Sequence, residues 1–173
     1  MRYKHLFFFL VIIVFVGKCV FFSKKETDKS KNAVKNIPQK NILYDTKTIS
    51  TIVHAARTYI GTPYRSGGVS AEKGLDCSGF VDLAFRSANL KLPRASNDIA
   101  AVGTEIPVED ICAGDLVFFI TGKSNRINHV GIVTERRSWD TIQFIHSASK
   151  GVREDNLFSK YYQSRFTKAM RPF

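Results

Sequence analysis

The stretch DCSGFVDLAF, residues 76–85, decides the fold, because a polar start leads directly into an apolar pattern at helical spacing. Side chains three and four residues apart lie on one side of an α-helix, and here that side is formed by Phe80, Val81, Ala84, Phe85 and Ala88. The pattern predicts a helix whose apolar face packs against other elements. Cys77 is placed in the first turn of that helix.

The residues before this stretch predict another helix followed by a loop. Apolar side chains recur at helical spacing over residues 48–60, with Thr48 or Ser50 as the N-cap. Gly61, followed by a proline two residues later, is typical of a helix end. Three glycines fall within residues 62–74, which indicates a loop directly before the stretch that contains Cys77.

The residues after 110 predict a β-sheet. Short runs rich in Val, Ile and Phe are separated by turn-rich or charged segments, and they span residues 115–120, 129–135, 141–146 and 166–170. Helices therefore come first and antiparallel strands follow. This order predicts an α+β fold in which the helix that bears Cys77 packs on an antiparallel β-sheet.

Cys77 has the setting of a nucleophile. A thiol reacts as its thiolate, and its pKa falls at a helix N-terminus, where unpaired backbone N–H groups also face a developing oxyanion. Gly79 is expected to keep the approach to the sulfur open. A cysteine is more often a buried apolar residue, but the polar neighbours Asp76 and Ser78 argue against full burial. A disulfide to Cys112 is conceivable, although it would consume this thiol.

Two of the four histidines are candidates for the base and its orienting partner. His5 lies in the leader and His54 in the first predicted helix. His129 opens one predicted strand and His146 ends the next, and in a hairpin the start of one strand lies beside the end of its successor. This order favours a relay that runs from Cys77 through His129 to His146.

Five short motifs lie in order along residues 48–173: PYRSGG at 63–68, DCSGFV at 76–81, GDLVFF at 114–119, NHVGI at 128–132 and IHSA at 145–148. Together they resemble the NlpC family of cell-wall cysteine peptidases. The resemblance implies a papain-like fold for residues 48–173, with N-terminal helices and the cysteine-bearing helix packed on the sheet.

The resemblance also implies roles for individual residues. Cys77 corresponds to the nucleophile, His129 to the base and His146 to the orienting polar residue. The hydroxyl of Tyr64 corresponds to one that helps line the oxyanion site. The substrate implied is the peptidoglycan stem peptide, cleaved at the bond between D-glutamate and the diamino acid.

The remaining implications concern substrate contacts and rival functions. Asp76 and Ser78 match positions that contact substrate in some family members.

Two alternative functions remain open: an inactive wall-binding scaffold lipoprotein, and an amidase or acyltransferase with the same Cys-His pair. CxxC and HExxH spacings are missing from the sequence, so a structural zinc site of the usual spacing is not supported. Neither a metal nor a cofactor is expected. The protein is expected to be a monomer.

The N-terminus predicts export. A basic start leads into an apolar run, so residues 1–22 are interpreted as an export signal, a lipoprotein signal or a membrane anchor. Cys19 is the candidate for lipidation, although Lys18 stands where lipoprotein signals carry a small residue. The polar, lysine-rich residues 23–47 are predicted to be a flexible tether, and residues 48–173 the peptidase domain. This organisation predicts a membrane-anchored protein of the cell envelope.

The positive charge of the chain is concentrated near its start. The formal net charge is +11, of which residues 48–173 hold only +4. Lysines beside an anchor favour contact with anionic lipid headgroups. The charge therefore predicts a membrane surface as the partner of the N-terminus, and it argues against nucleic acid.

Overall fold

The computed structural model describes residues 44–173. Along this part of the chain the elements are α1 (Thr46–Thr58), β1 (Val69–Ser70), β2 (Gly74–Leu75), α2 (Cys77–Arg86), α3 (Ser96–Ile99), β3 (Thr104–Ile106), a 3-10 turn (Val108–Asp110), β4 (Leu116–Phe119), β5 (His129–Ser138), β6 (Thr141–Ala148), β7 (Gly151–Asn156), α4 (Lys160–Gln163) and β8 (Phe166–Arg171).

Six of these strands form one sheet in the order β3-β8-β4-β5-β6-β7, while β1 and β2 form a separate hairpin. Every pairing within the larger sheet is antiparallel. Strands β4 to β7 follow one another as neighbours, so consecutive strands of the chain lie side by side in the sheet. The prediction of an α+β fold with an antiparallel sheet is confirmed.

Helix α2 forms because its first turn is capped and its apolar face meets the sheet. The Asp76 carboxylate accepts a hydrogen bond from the Gly79 backbone N–H at 2.7 Å, an N-cap contact. The predicted apolar face is buried, with no solvent exposure at Phe80, Val81, Ala84 and Phe85. Burial of one large apolar side chain contributes about 1.5–3 kcal/mol, so this packing holds Cys77 firmly against the sheet.

The two faces of the sheet carry separate apolar cores. Helices α1 and α2 cover one face, where the buried sheet residues include Leu116, Phe118, Val130, Ile132 and Ile145. The core on the other face includes Val117, Phe119, Val133, Phe144, Leu157 and Tyr162. Successive residues of β4 thus alternate between the two cores, as the strand pleat requires.

Helix α1 begins earlier than predicted. Its N-cap is Asp45, whose carboxylate accepts from the Thr48 N–H at 2.8 Å, in place of Thr48 or Ser50. The Tyr44 ring stacks on Phe85 with centroids 6.3 Å apart. Residues 44–47, which the sequence prediction assigned to the tether, therefore belong to the folded domain. The rest of the predicted tether lies outside the described residues.

Strands β3 and β7 are missing from the sequence prediction, and β5 and β6 run further than predicted. The sequence of β7 is GVREDN, in which only the first two residues are buried and four polar residues follow. An edge strand of this kind has no alternating apolar pattern. Its pairing with β6 places Arg153 opposite His146, next to the predicted relay.

Within residues 44–173, the helices are too short or too polar to cross a membrane. The export signal or anchor predicted at residues 1–22, including the lipidation candidate Cys19, lies outside the described residues.

Candidate active site

Cys77 is the first residue of α2, and it carries a free thiol. The disulfide to Cys112 considered above is therefore not formed. The side chain is largely buried, and its Sγ lies 3.8 Å from the Asn128 carbonyl oxygen, to which the thiol donates a weak hydrogen bond. Asn128 immediately precedes strand β5, so the end of the sheet meets the start of α2 at the sulfur.

Two adjoining cavities meet at Cys77. Their volumes are about 400 and 360 Å³, and both are lined by Tyr64, Cys77 and Asn128. The larger cavity is otherwise lined by residues of the α2 and α3 region, among them Asp76, Ser78, Arg94, Ser96 and Asn97. The smaller is lined from the sheet side, by residues that include His129, Ser147, Tyr161 and Tyr162. The sulfur thus lies where the two cavities join to form one groove.

His129 and His146 are neighbours in the sheet. The β5–β6 hairpin brings the start of one strand beside the end of the other, as the strand order predicted. The distance between His129 Nε2 and His146 Nδ1 is 3.0 Å, within hydrogen-bonding range. His129 uses Nε2 for this contact, so Nδ1 is its remaining ring nitrogen, and the side chain lines the smaller cavity together with Cys77.

The sequence reasoning missed three residues on the side of His146 that faces away from His129: Arg153, Asp155 and Tyr162. His146 Nε2 lies 2.8 Å from Asp155 Oδ2 and 3.2 Å from the Tyr162 hydroxyl. Arg153 Nε donates to the same Asp155 oxygen at 2.7 Å. The spacing of Arg153 and Asp155, two residues apart and on one face of a strand after a histidine-bearing strand, was the available signal.

Arg94, also missed, joins the two predicted substrate contacts. Its guanidinium donates to Asp76 Oδ1 at 3.0 Å and Oδ2 at 2.6 Å, and to Ser78 Oγ at 2.7 Å. Burial disfavours the Asp76 carboxylate, but hydrogen bonds from Arg94 and Gly79 outweigh it and hold the pKa of Asp76 below its ordinary value. Asp76 and Ser78 therefore line the larger cavity as one ion-paired unit with Arg94.

Tyr64 is half-exposed and stands beside the sulfur. Its backbone forms an isolated bridge with Leu75, two residues before Cys77, and its side chain lines both cavities. Burial raises the pKa of the Tyr64 phenol, with additional contributions from Cys77 and Asp76, so the hydroxyl stays protonated and can donate a hydrogen bond. Within residues 44–173, His, Cys, Asp and Glu side chains do not cluster in threes or more in a way that could hold a metal ion.

Residues 61–171 match the model of the NlpC/P60 family. This chain belongs to the NlpC/P60 family. It is similar to the probable endopeptidase NlpC of Escherichia coli K12, with 43% identity over 117 residues that cover 66% of this chain and 72% of that protein. It is also similar to the murein DD-endopeptidase MepS/murein LD-carboxypeptidase of Escherichia coli K12, with 34% identity over 146 residues covering 83% of this chain and 69% of that protein.

Solved structures of NlpC/P60 proteins share the fold. A crystal structure from Staphylococcus aureus Mu50, described as similar to lipoprotein of the NLP/P60 family, matches with 32% identity and a TM-score of 0.66. The match covers 75% of this chain and 42% of that one, so this chain spans less than half of the staphylococcal structure. The predictions of a papain-like fold and of a peptidase of this family are confirmed.

Burial determines the resting protonation of the NlpC/P60 site. It lowers the pKa of His129 to about 3, with further lowering by His146 and Arg153. Burial also lowers the pKa of His146, although Asp155 opposes the shift. For Cys77, burial followed by the charge of Asp76 raises the pKa, and backbone N–H groups offset this only in part. The expectation of a lowered thiol pKa is therefore wrong, and the resting pair is a thiol beside a neutral imidazole.

The buried histidines make the stability of the domain depend on pH. The folded-state pKa values of His129 and His146 lie below the ordinary value of 6.5. Below pH 6.5 the unfolded chain therefore binds protons that the folded domain does not, so the free energy of unfolding decreases as the pH falls. We expect thermal unfolding to show a steady Tm above about pH 7 and a falling Tm below, with up to about 1.4 kcal/mol lost per pH unit and per histidine.

The variant His129→Gln tests the origin of this slope, because glutamine does not titrate. Its Tm should depend less steeply on pH than that of the unmodified protein between about pH 6.5 and pH 4.5, above the range in which carboxylates dominate. An equal slope in both proteins would contradict the assignment of the pH dependence to His129.

Gly79 lies where a side chain cannot fit. A β-carbon at this position would lie 2.2 Å from the carbonyl oxygen of Gly68. The close approach is to the loop of residues 62–74, called the glycine loop below, and not to an incoming substrate as the sequence reasoning supposed. We expect Gly79→Ala to displace this loop from α2 and to lower the free energy of unfolding by about 1–3 kcal/mol. Thermal unfolding measures this, and an unchanged Tm would show that the loop yields without cost.

Proposed function

We propose that this protein is a peptidoglycan endopeptidase that cleaves stem peptides at the bond between D-glutamate and the diamino acid. The main support for the proposal is the position of Cys77 at the N-terminus of α2, in a cavity that it shares with His129, which in turn pairs with His146. The relatives named as endopeptidases, one of them acting on murein, support this class of substrate.

The proposed reaction begins as the Cys77 thiol passes its proton to His129 in the same step in which the sulfur attacks. The sulfur attacks the carbonyl carbon of the scissile bond, and the oxyanion that forms faces the first N–H groups of α2 and the Tyr64 hydroxyl. His129 then returns the proton to the leaving amine, which departs and leaves a thioester on Cys77. Water, deprotonated by His129, then attacks the thioester, the C–S bond breaks and the carboxyl product is released, and His129 returns its proton to the Cys77 sulfur. His146 holds His129 throughout.

The raised pKa of Cys77 fits this sequence of steps. A thiol and a neutral imidazole are the resting forms, so proton transfer accompanies attack and a stable ion pair does not precede it. Asp76 favours the thiol, and its ion pair with Arg94 limits this effect, because the guanidinium partly balances the carboxylate charge beside the sulfur. The larger cavity is then a polar recess in which substrate carboxylates can meet Arg94 or Arg126.

The test is digestion of purified peptidoglycan, with the released fragments identified by mass and Cys77→Ala as the control. Fragments that end in D-glutamate support the proposed bond. Separation of cross-linked stems with each stem intact would instead indicate cleavage of the cross-bridge. Release of whole stems from the sugar would indicate an amidase, and the absence of products a scaffold.

We further propose that the protein acts as a monomer in the cell envelope, exported and held at the membrane through residues 1–22. The basic start, the apolar run and Cys19 support this proposal, as does the lysine-rich character of residues 23–47. Fractionation of the native host should recover the protein with membranes. Intact mass then distinguishes acylation of Cys19 from an uncleaved anchor, and recovery in the soluble fraction without detergent contradicts both.

A further inference from the structure

A chain of hydrogen bonds runs from His129 through His146 to Asp155, and the Asp155 carboxylate determines which atom donates at each step. Asp155 lies on β7, and its Oδ2 accepts at 2.8 Å from His146 and at 2.7 Å from Arg153 Nε. A carboxylate only accepts hydrogen bonds, so His146 carries its proton on Nε2 at this contact. His146 is fully buried, so water does not compete for this nitrogen.

Asp155 is ionised in this setting. Burial disfavours the charge, but hydrogen bonds from His146 and Arg153 outweigh the cost and hold the pKa of Asp155 below its ordinary value. The charge of Arg153 also keeps the proton from passing from His146 to the carboxylate. The carboxylate therefore acts as a permanent acceptor.

One proton position then determines the next. A neutral imidazole has one N–H, so a proton on Nε2 of His146 leaves its Nδ1 as an acceptor. That Nδ1 is 3.0 Å from His129 Nε2, so His129 must donate from Nε2. The Nδ1 of His129 is then unprotonated, which is the state that a base for the Cys77 thiol requires.

We infer that Asp155 is a positioning residue that sets the tautomers of both histidines, so that His129 presents an unprotonated ring nitrogen to Cys77. The inference rests on the proposed function, because it concerns the base of that reaction. It adds one carboxylate to the predicted Cys-His-His relay. That carboxylate determines which ring nitrogen of each histidine carries the proton.

The Tyr162 hydroxyl could donate to His146 Nε2 and so favour the opposite tautomers, an arrangement that Asp155 prevents. Its hydroxyl lies 3.2 Å from His146 Nε2 and accepts from Arg153 at 3.2 Å. If the phenol donated to Nε2, His146 would carry its proton on Nδ1 and donate to His129, whose own proton would move to Nδ1. The base would then face the thiol with an N–H. Asp155 excludes this order because a hydrogen bond to a carboxylate is about twice as strong as one between neutral groups.

Nitrogen-15 NMR of the full chain with labelled histidine rings tests the inference at a pH near neutrality, without substrate. The chain has four histidines, so replacement of the exposed His54 and of each site histidine assigns the signals. We expect both His129 and His146 to carry the proton on Nε2. The opposite tautomer at either residue of the unmodified protein overturns the inference, whatever the variants do.

Three variants then identify the residue responsible. Asp155→Ala should move the proton of both histidines to Nδ1 and lower kcat about 10- to 100-fold with little change in KM. Asp155→Asn, whose amide oxygen can accept from His146 and Arg153, should keep the native tautomers and recover part of kcat. Tyr162→Phe should also keep them. Native tautomers in folded Asp155→Ala would overturn the inference.

Glu154→Gln is the matched control, because this neighbour on β7 pairs with Arg57 of α1 and not with the histidines. It should leave tautomers and kcat unchanged, and a tautomer change there would mean that β7 as a whole, and not Asp155, sets the relay. The NMR result does not depend on turnover. Failure to cleave peptidoglycan with native tautomers would therefore count against the proposed function alone.

Discussion

Replacement of Cys77 by alanine is expected to abolish peptidoglycan hydrolysis while leaving the fold intact. The sulfur forms the covalent bond in the proposed reaction, so its loss should lower kcat/KM by at least about 10⁴-fold. The side chain is small and lies at the edge of the core, so the free energy of unfolding should change by only about 1 kcal/mol. The measurements are kcat/KM on one stem peptide and the Tm of each protein.

Cys77→Ser is the matched control for this experiment. Serine preserves size and hydrogen bonding at the Asn128 carbonyl, but its hydroxyl is a far weaker acid than a thiol. It should therefore be nearly as inactive as the alanine variant while keeping the native Tm. Retained turnover in a correctly folded Cys77→Ala protein would refute the cysteine-peptidase mechanism.

The two histidines are expected to differ in their effects on activity. His129 must take a proton from Cys77 and return one to the leaving amine, so His129→Ala should lose nearly all activity, about as much as the loss of the thiol. His146 only holds His129 in one tautomer across their 3.0 Å contact, so His146→Ala should lose less. His146→Gln should recover part of that loss, because its amide can take up the same hydrogen bond.

These variants should be compared on one stem peptide, with His54→Ala as the control. His54 is exposed on α1, so its replacement should leave kcat/KM unchanged. The assignment of base and orienting residue fails if His129→Ala is the milder lesion. It fails equally if His146→Gln is as inactive as His129→Ala, since an amide at that position would then have no holding effect.

Much of the fold and of the site could be read from local patterns. The helix that bears Cys77 was predicted because its apolar face repeats at helical spacing over ten consecutive residues, and it is observed as Cys77–Arg86. The meeting of His129 and His146 could be predicted because a tight hairpin joins their strands, so chain order alone brings them together. Both inferences depend only on residues close in sequence.

The partners of these residues could not be predicted in the same way. Arg94 reaches Asp76 across 18 positions of chain, through a loop and a turn whose course no periodicity describes. Asp155 reaches His146 from an edge strand whose polar sequence resembles a loop. The Arg94 contact depends on how separate elements pack, which no local pattern describes. The two-residue spacing of Arg153 and Asp155 becomes informative only once β7 is recognised as a strand.

The shift of the Cys77 pKa shows the same difference between what local sequence determines and what tertiary packing determines. The sequence by itself determined that a thiol lies at a helix start and that two histidines meet in one hairpin, because those features follow from local spacing. Only the tertiary structure decided their protonation, since burial and the charge of Asp76 raise the pKa of Cys77 above its ordinary value. The free energy of an ionised group depends on every atom packed around it, and that arrangement exists only once α2, the glycine loop and the sheet have come together.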